Sequence, residues 1–299
     1  MKNPETSILM PTYNCAQYLL ECIGSILRQE YQDYEVIIID DHSTDHTESL
    51  VKKIELIDSR VKYFKNQKNQ KGIVSALNYG LKLCKGEYIA RMDADDMMIG
   101  NRLKEQISYL KVHSNIHAVC SAMQLIDEDG LPMRQSLGTS SIEKSKLFHL
   151  FLNMYVHATM TAKKDVFINF KYKKNFLYAE DYELWSRVIR KFNIRHLQEI
   201  HHVYRIIKKQ NRNIEVRDNG TLAILSIFSN QLDFYKIPHN ERELMIHYSL
   251  YYLKEAIGSK EEITKWLNKI FTAKKIVDLF DLQTISEVRD HLNNKFDLK

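Results

Sequence analysis

Apolar residues in the first ninety positions fall into short runs, and the spacing within and between those runs alternates. Ser7-Ile8-Leu9-Met10 is a short buried-strand pattern, after which Tyr18, Leu19, Cys22, Ile23, Ile26 and Leu27 recur at helical spacing. Glu35-Val36-Ile37-Ile38-Ile39-Asp40 is a second apolar run, rich in β-branched side chains and bounded by polar residues. Asp45 and Glu48 have the spacing of a capping pair for the next helix. Val61 to Phe64 predicts a third strand, 73–83 a helix ended by Gly86, and Glu87 to Met92 a fourth strand. Strand and helix alternating through short connections predict an α/β fold with a mostly parallel, Rossmann-like sheet flanked by helices.

The pattern changes near residue 115. His117 to Ile126 predicts a strand, Glu128-Asp129-Gly130 a turn, and Ser140 with Glu143 a capping box for a helix through about Leu152. Another helix follows Tyr182, and a strand-like run ends near Val203. Beyond about 213 the signal is helical to the end. This divides the chain into a catalytic-type domain at 1–212 and a helical C-terminal extension at 213–299. Within the extension, Ile263, Trp266, Leu267, Ile270 and Phe271 form one apolar stripe, and Ser259 with Glu262 caps its helix. Such a stripe is a core face first and a membrane-surface face second. The extension is also a candidate dimer interface.

Composition narrows the classes. Hydrophobic residues at 44% and charged residues at 27% are ordinary for a globular chain, and no apolar run nears the roughly 18 residues of a spanning helix. The N-terminus has no secretory pattern and the four cysteines form no CxxC pair. Together these predict a cytoplasmic protein with reduced thiols and no zinc site. The net charge of +5 is uneven: residues 163–212 carry 13 Lys and Arg against 5 Asp and Glu. That segment suits phosphates or the inner face of an anionic membrane, with peripheral association. It lacks the interleaved aromatic residues of a nucleic-acid platform, so no nucleic-acid partner is expected.

The chemistry concentrates in Arg91-Met92-Asp93-Ala94-Asp95-Asp96, three carboxylates directly after an apolar strand. In an open parallel sheet, ligands bind beyond the carboxyl ends of the strands. Clustered carboxylates repel unless a cation lies between them, and a hard divalent ion that also bridges to a diphosphate fills that role. An exposed acidic turn is the bland alternative. A calcium loop is a weaker alternative, because Met98 replaces the turn glycine and Lys104 the terminal carboxylate. Asp40-Asp41 and Pro11-Thr12-Tyr13-Asn14 end the second and first strands, so an aromatic ring, an acceptor and a metal site meet at one crevice. Downstream, Glu180-Asp181 opens an apolar-periodic helix, where either carboxylate could cap the helix or act as a general base. His42 with His46, and the pair His201-His202, predict no zinc; the second pair is expected at the surface.

Five motifs in one order carry a resemblance: 7–14, 36–45, 72–78, 86–96 and the pair 180–181. Over roughly residues 5–205 the chain resembles the inverting GT-A glycosyltransferases of family 2. The resemblance implies that Pro11, Thr12 and Tyr13 hold the nucleotide base and ribose, and that Asp41 reads a uracil edge. It implies that Asp93 and Asp95 form a DxD element for ribose and metal-diphosphate, with Asp96 sharing the metal. Asp181 matches the catalytic base, with Glu180 beside it. Arg205 falls where such enzymes place a donor or acceptor loop. From its place before a strand-like run, His157 is a structural histidine first and a candidate substrate contact on the acceptor side second. The expected cofactor is Mn²⁺ or Mg²⁺, the donor a UDP-sugar, and the acceptor a glycan or lipid-linked saccharide in cell-surface polysaccharide assembly. The processive synthases' Gln-x-x-Arg-Trp motif is absent, Glu183-Leu184-Trp185-Ser186-Arg187 standing instead, which favours addition of one sugar. Two alternatives are weighed: a degenerate transferase domain kept for binding, and a sugar-phosphate nucleotidyltransferase. The latter needs a Gly- and Arg-bearing loop after the first strand, where this chain has Pro11 to Gln17 with neither.

Overall fold

A computed structural model describes residues 3–207 and 214–298. In chain order the first elements are β1 (Thr6–Thr12), α1 (Ala16–Leu27), β2 (Tyr34–Asp40), α2 (Thr47–Ile57), β3 (Val61–Lys65), α3 (Ile73–Leu83) and β4 (Tyr88–Arg91). There follow β5 (Met97–Met98), α4 (Arg102–Val112), β6 (Ile116–Ile126), β7 (Pro132–Ser136), α5 (Ile142–Phe148), β8 (Thr161–Lys163), α6 (Lys164–Asn169), α7 (Glu180–Val188) and β9 (Asn193–Arg205). The rest is helical: α8 (Ile214–Phe234), α9 (Glu241–Tyr252), α10 (Lys260–Phe271), α11 (Lys274–Leu279) and α12 (Leu282–Phe296). Two compact units result, one of residues 1–140, 155–174 and 187–211, the other of 141–154, 175–186 and 212–299.

The first unit holds the whole sheet, in the order β3-β2-β1-β4-β8-β6-β9-β5, with β7 paired to β6. The β3-β2-β1-β4 half is parallel, as β-α-β crossovers require. Every residue of β1 and β2 is buried, which accounts for their unbroken apolar runs. Beyond β4 the sheet mixes directions, with β8 antiparallel to β4 and β6, and β9 parallel to β6. Gly86 serves a purpose different from the expected helix stop. The helix α3 ends at Leu83, and a Cβ at Gly86 would lie 2.5 Å from the Ser7 backbone nitrogen. Its missing side chain lets the chain entering β4 pass against β1.

Three local expectations are corrected. Asp45 does not cap α2 with Glu48: its Oδ1 accepts from Thr47 N (3.0 Å) and its Oδ2 from Ala16 N (3.0 Å), while Glu48 pairs with Lys52 and Lys65. The cap of α5 is Ser141, one residue later than expected, accepting from Lys144 N. His201 and His202 are buried, not superficial, because β9 is an interior strand with β6 on one side and β5 on the other.

The second unit is a helical body with its own core. Ile263, Trp266, Leu267, Ile270 and Phe271 of α10 pack with Phe151, Leu250 and Leu292, so the stripe is a core face. Ser259 and Glu262 form the expected reciprocal capping box. Among the described residues no helix is long and apolar enough to cross a membrane. Of the basic segment, Lys208, Lys209 and Arg212 lie outside the described residues.

Candidate active site

At the carboxyl ends of β1, β2 and β4 a cavity of about 170 Å³ is lined by Pro11, Thr12, Tyr13, Asp41, Asp93 and Asp95. Six residues singled out in sequence thus meet in one place. The β1–α1 loop is held open by its neighbour after β2. Asn14, at a positive φ of 50°, donates from its backbone to Ser43 Oγ (2.9 Å) and accepts from Thr44 N (2.8 Å). With both ends of the turn tied, Tyr13 projects outward and is 57% exposed, an available stacking face. A larger cavity of about 620 Å³ adjoins it through Tyr13, Cys15 and Asp95, with Tyr18, Glu128 and Asp129 on its far walls.

The two adjacent aspartates after β2 do different work. Asp40 is fully buried and accepts from Tyr63 Oη (2.6 Å) and Ser43 N (2.9 Å), which joins β2 to β3 and to the following loop. Asp41 reaches the cavity. Asn66 Nδ2 donates to its Oδ1 and Gly72 N to its Oδ2, each at 2.7 Å. These two bonds fix the carboxylate plane and leave lone pairs for a further donor. Gly72, at φ 95°, takes a conformation that side chains resist, and so turns its N–H toward Asp41.

The acidic loop 93–96 turns between β4 and β5, with Asp96 N donating to Asp93 O. One oxygen from each of Asp93, Asp95 and Asp96 lies within 4.8 Å of the others. Burial, then the neighbouring charges of Asp93 and Asp96, pushes the Asp95 carboxyl up to about 7. Asp96 is raised by the same two causes, burial and the charge of Asp93. Such a set of hard oxygen donors fits Mn²⁺ or Mg²⁺, which would relieve that repulsion. Three arginines answer the loop from within the protein. Buried Arg91 forms an ion pair with the partly exposed Asp93. Arg205 donates its backbone N–H to Asp96 Oδ1 (2.8 Å), its Nε to Asp95 O (3.1 Å) and its Nη2 to Glu21 (2.6 Å), and its guanidinium packs over the Tyr18 ring. Fully buried Arg102 reaches His202, whose Nε2 lies 2.8 Å from Asp96 Oδ2.

Arg205 is therefore a brace of the acidic loop. His157 is buried, with Nε2 2.9 Å from Tyr172 Oη; burial and the nearby Arg91 charge hold its imidazole well below the usual range. Asp181 and Glu180 belong to the second unit, in the first turn of α7. Asp181 is partly exposed and accepts from Asn153 Nδ2 at 2.9 Å, whereas Glu180 is buried. Tyr182 and Ala179 pack into a cluster with Ile227 and Phe228 of α8, which fixes that turn. Sequence reasoning did not single out Arg91 and Arg102 as site residues, and it placed His202 at the surface. The first stood inside the acidic motif, but the other two gave no local signal.

The family model for glycosyl transferase family 2 matches residues 7–179. The chain belongs to that family. An uncharacterised glycosyltransferase of Haemophilus influenzae is 31% identical over 295 residues, covering 95% of this chain and 81% of its own. The family 2 chain is also 27% identical over 274 residues to the Campylobacter jejuni GalNAc(5)-diNAcBac-PP-undecaprenol beta-1,3-glucosyltransferase, covering 86% and 85% of the two. Among solved structures, Staphylococcus aureus TarS 1–349 in complex with UDP-GlcNAc superposes with a TM-score of 0.63 at 17% identity, over 98% of this chain and 88% of that one. At that identity the likeness concerns the fold: a GT-A sheet followed by helices, as found here. The chain is a glycosyltransferase.

Proposed function

We propose that this glycosyltransferase moves one sugar from a UDP-sugar onto a hydroxyl of a lipid-linked or growing saccharide, with inversion at the anomeric carbon. The observation that carries the reading is the single cavity that gathers Pro11, Thr12, Tyr13, Asp41, Asp93 and Asp95. Tyr13 offers its ring to the base, and the remaining lone pairs of Asp41 accept an N–H from the base edge. Asp93 and Asp95 would hold Mn²⁺ or Mg²⁺, which when bound supplies positive charge to the departing diphosphate. Asp181 accepts the proton of the attacking hydroxyl, its orientation held by Asn153, with Glu180 beside it in the first turn of α7. Arg205 keeps the acidic loop in place, and His157 is held by its hydrogen bond with Tyr172.

The catalytic part is assigned to 1–212 and a helical extension to 213–299. A lipid-linked acceptor at the inner face of the membrane is supported by the Campylobacter relative's undecaprenol-linked acceptor and by the basic segment 163–212. Calorimetric titration with UDP, with and without Mn²⁺, tests the donor reading on wild type and Asp95→Ala. Metal-dependent binding that disappears in the variant is the expected result. UDP binding that ignores both metal and the substitution would refute the metal site.

A further inference from the structure

Asp96 stands third in the acidic cluster, yet its surroundings differ from those of Asp93 and Asp95. Its side chain is 1% exposed, whereas that of Asp93 is 29% exposed. Each of its oxygens is held by a protein group, Oδ1 by the Arg205 backbone N–H at 2.8 Å and Oδ2 by His202 Nε2 at 2.8 Å. A divalent ion that bridges to a diphosphate keeps part of its water and takes one or two carboxylates, so the carboxylate most enclosed by protein is the least suited of the three to share it.

The tautomer of His202 follows from its other neighbour. Arg102 Nη1 lies 3.2 Å from His202 Nδ1, and a guanidinium has donors only. Nδ1 must therefore accept, which places the proton on Nε2 and aims it at Asp96. Arg102 is itself fixed, donating to the Arg91 and Met160 carbonyls and to Gln106 Oε1. The chain Arg102–His202–Asp96 thus links α4, the interior strand β9 and the acidic loop, and the Met98–His202 pairing of β5 with β9 reinforces it.

We propose that Arg102 and His202 are positioning residues that hold Asp96 as a post for the acidic loop, so that Asp93 and Asp95 alone face the metal. This rests on the donor-site reading above. Removing the hydrogen bond leaves Asp96 short of one partner in a buried site and lets the loop move, which weakens donor binding without touching the substrate.

The experiment is Mn²⁺-dependent UDP titration of the full chain in wild type, His202→Phe, His202→Gln, Asp96→Asn and Asp95→Asn, with circular dichroism to confirm folding. Phe keeps ring volume and loses both bonds, so binding weakens about tenfold, the worth of one buried charge-assisted hydrogen bond. Gln can accept from Arg102 and donate to Asp96, and restores binding to within about threefold. Asp96→Asn retains metal-dependent binding in weakened form, while Asp95→Asn loses it. The proposal is overturned if folded His202→Phe binds like wild type, or if Gln fails to rescue it. Should Phe not fold, the aspartates decide: loss of metal dependence in Asp96→Asn as complete as in Asp95→Asn makes Asp96 a ligand and ends the proposal. Wild type that binds no nucleoside diphosphate overturns the donor reading itself, and this proposal with it, an outcome separate from any variant's.

Discussion

Asp95 shares a partly buried turn with two other carboxylates, and its carboxyl is pushed up to about 7 by burial first and then by Asp93 and Asp96. A native pKa above the ordinary 3.8 means the folded chain binds this proton more tightly than the unfolded chain. Its contribution to stability is therefore greatest at acid pH and declines as pH rises toward about 7. A divalent ion that takes the proton's place should raise the melting temperature more at pH 8 than at pH 5. Equal shifts at the two pH values would speak against a metal at this carboxylate. Asp181 calls for a different test, because the role proposed for it is in transfer and not in donor affinity. Asp181→Asn should keep UDP binding and lose transfer by about 10²–10⁴-fold, the usual worth of a general base. Near wild-type turnover in that variant would remove the base assignment. The acidic loop was legible as a group because its three carboxylates stand directly after an apolar strand in the sequence. Arg102 and His202 were not legible, since they come together across 100 positions of sequence.

Elements followed their periodicity closely where one face or both faces are apolar. The helix α3 has the bounds 73–83 that its spacing predicts, and the α10 capping box is the one read from Ser259 and Glu262. Errors came where a polar side chain had several partners to choose from. Asp45 fits a cap by spacing but is drawn into tying α1 to α2, because the β1–α1 loop needs acceptors that sequence does not display. Gly86 was assigned to a helix end, whereas the approach of two backbones explains it. Gly86→Ala would force its Cβ to within 2.5 Å of the Ser7 nitrogen. We expect a loss of about 1–3 kcal/mol from the overpacking, read as a lower urea midpoint. An unchanged midpoint would show that β1 and β4 can part without cost.

At the scale of the molecule, the chain builds two cores, one around the mixed sheet and one among the helices. Trp266 is fully buried in the second and donates its indole N–H to His247 Nδ1 at 3.2 Å. Trp266→Ala should cost about 3–5 kcal/mol and speed amide exchange in α9, α10 and α12. Unaltered exchange there would contradict a core role for the stripe.

What the amino-acid sequence determined alone is whatever depends on neighbours along the chain. It set the alternation of strands and helices, the Ser259 cap that bonds three residues ahead, and the carboxylates and aromatic ring placed just after apolar runs. Those signals sufficed for the fold class and for membership in family 2. Tertiary structure decided which polar groups are spent inside the protein and which remain for a ligand. Asp40 and Asp41 are adjacent in sequence, yet one is locked by Tyr63 and Ser43 while the other faces the cavity. Asp96 is separated from Asp95 in the same way by the burial of β9. The physical reason is that a hydrogen bond's partner is chosen by distance in space, and distant segments reach that distance only after the sheet has assembled.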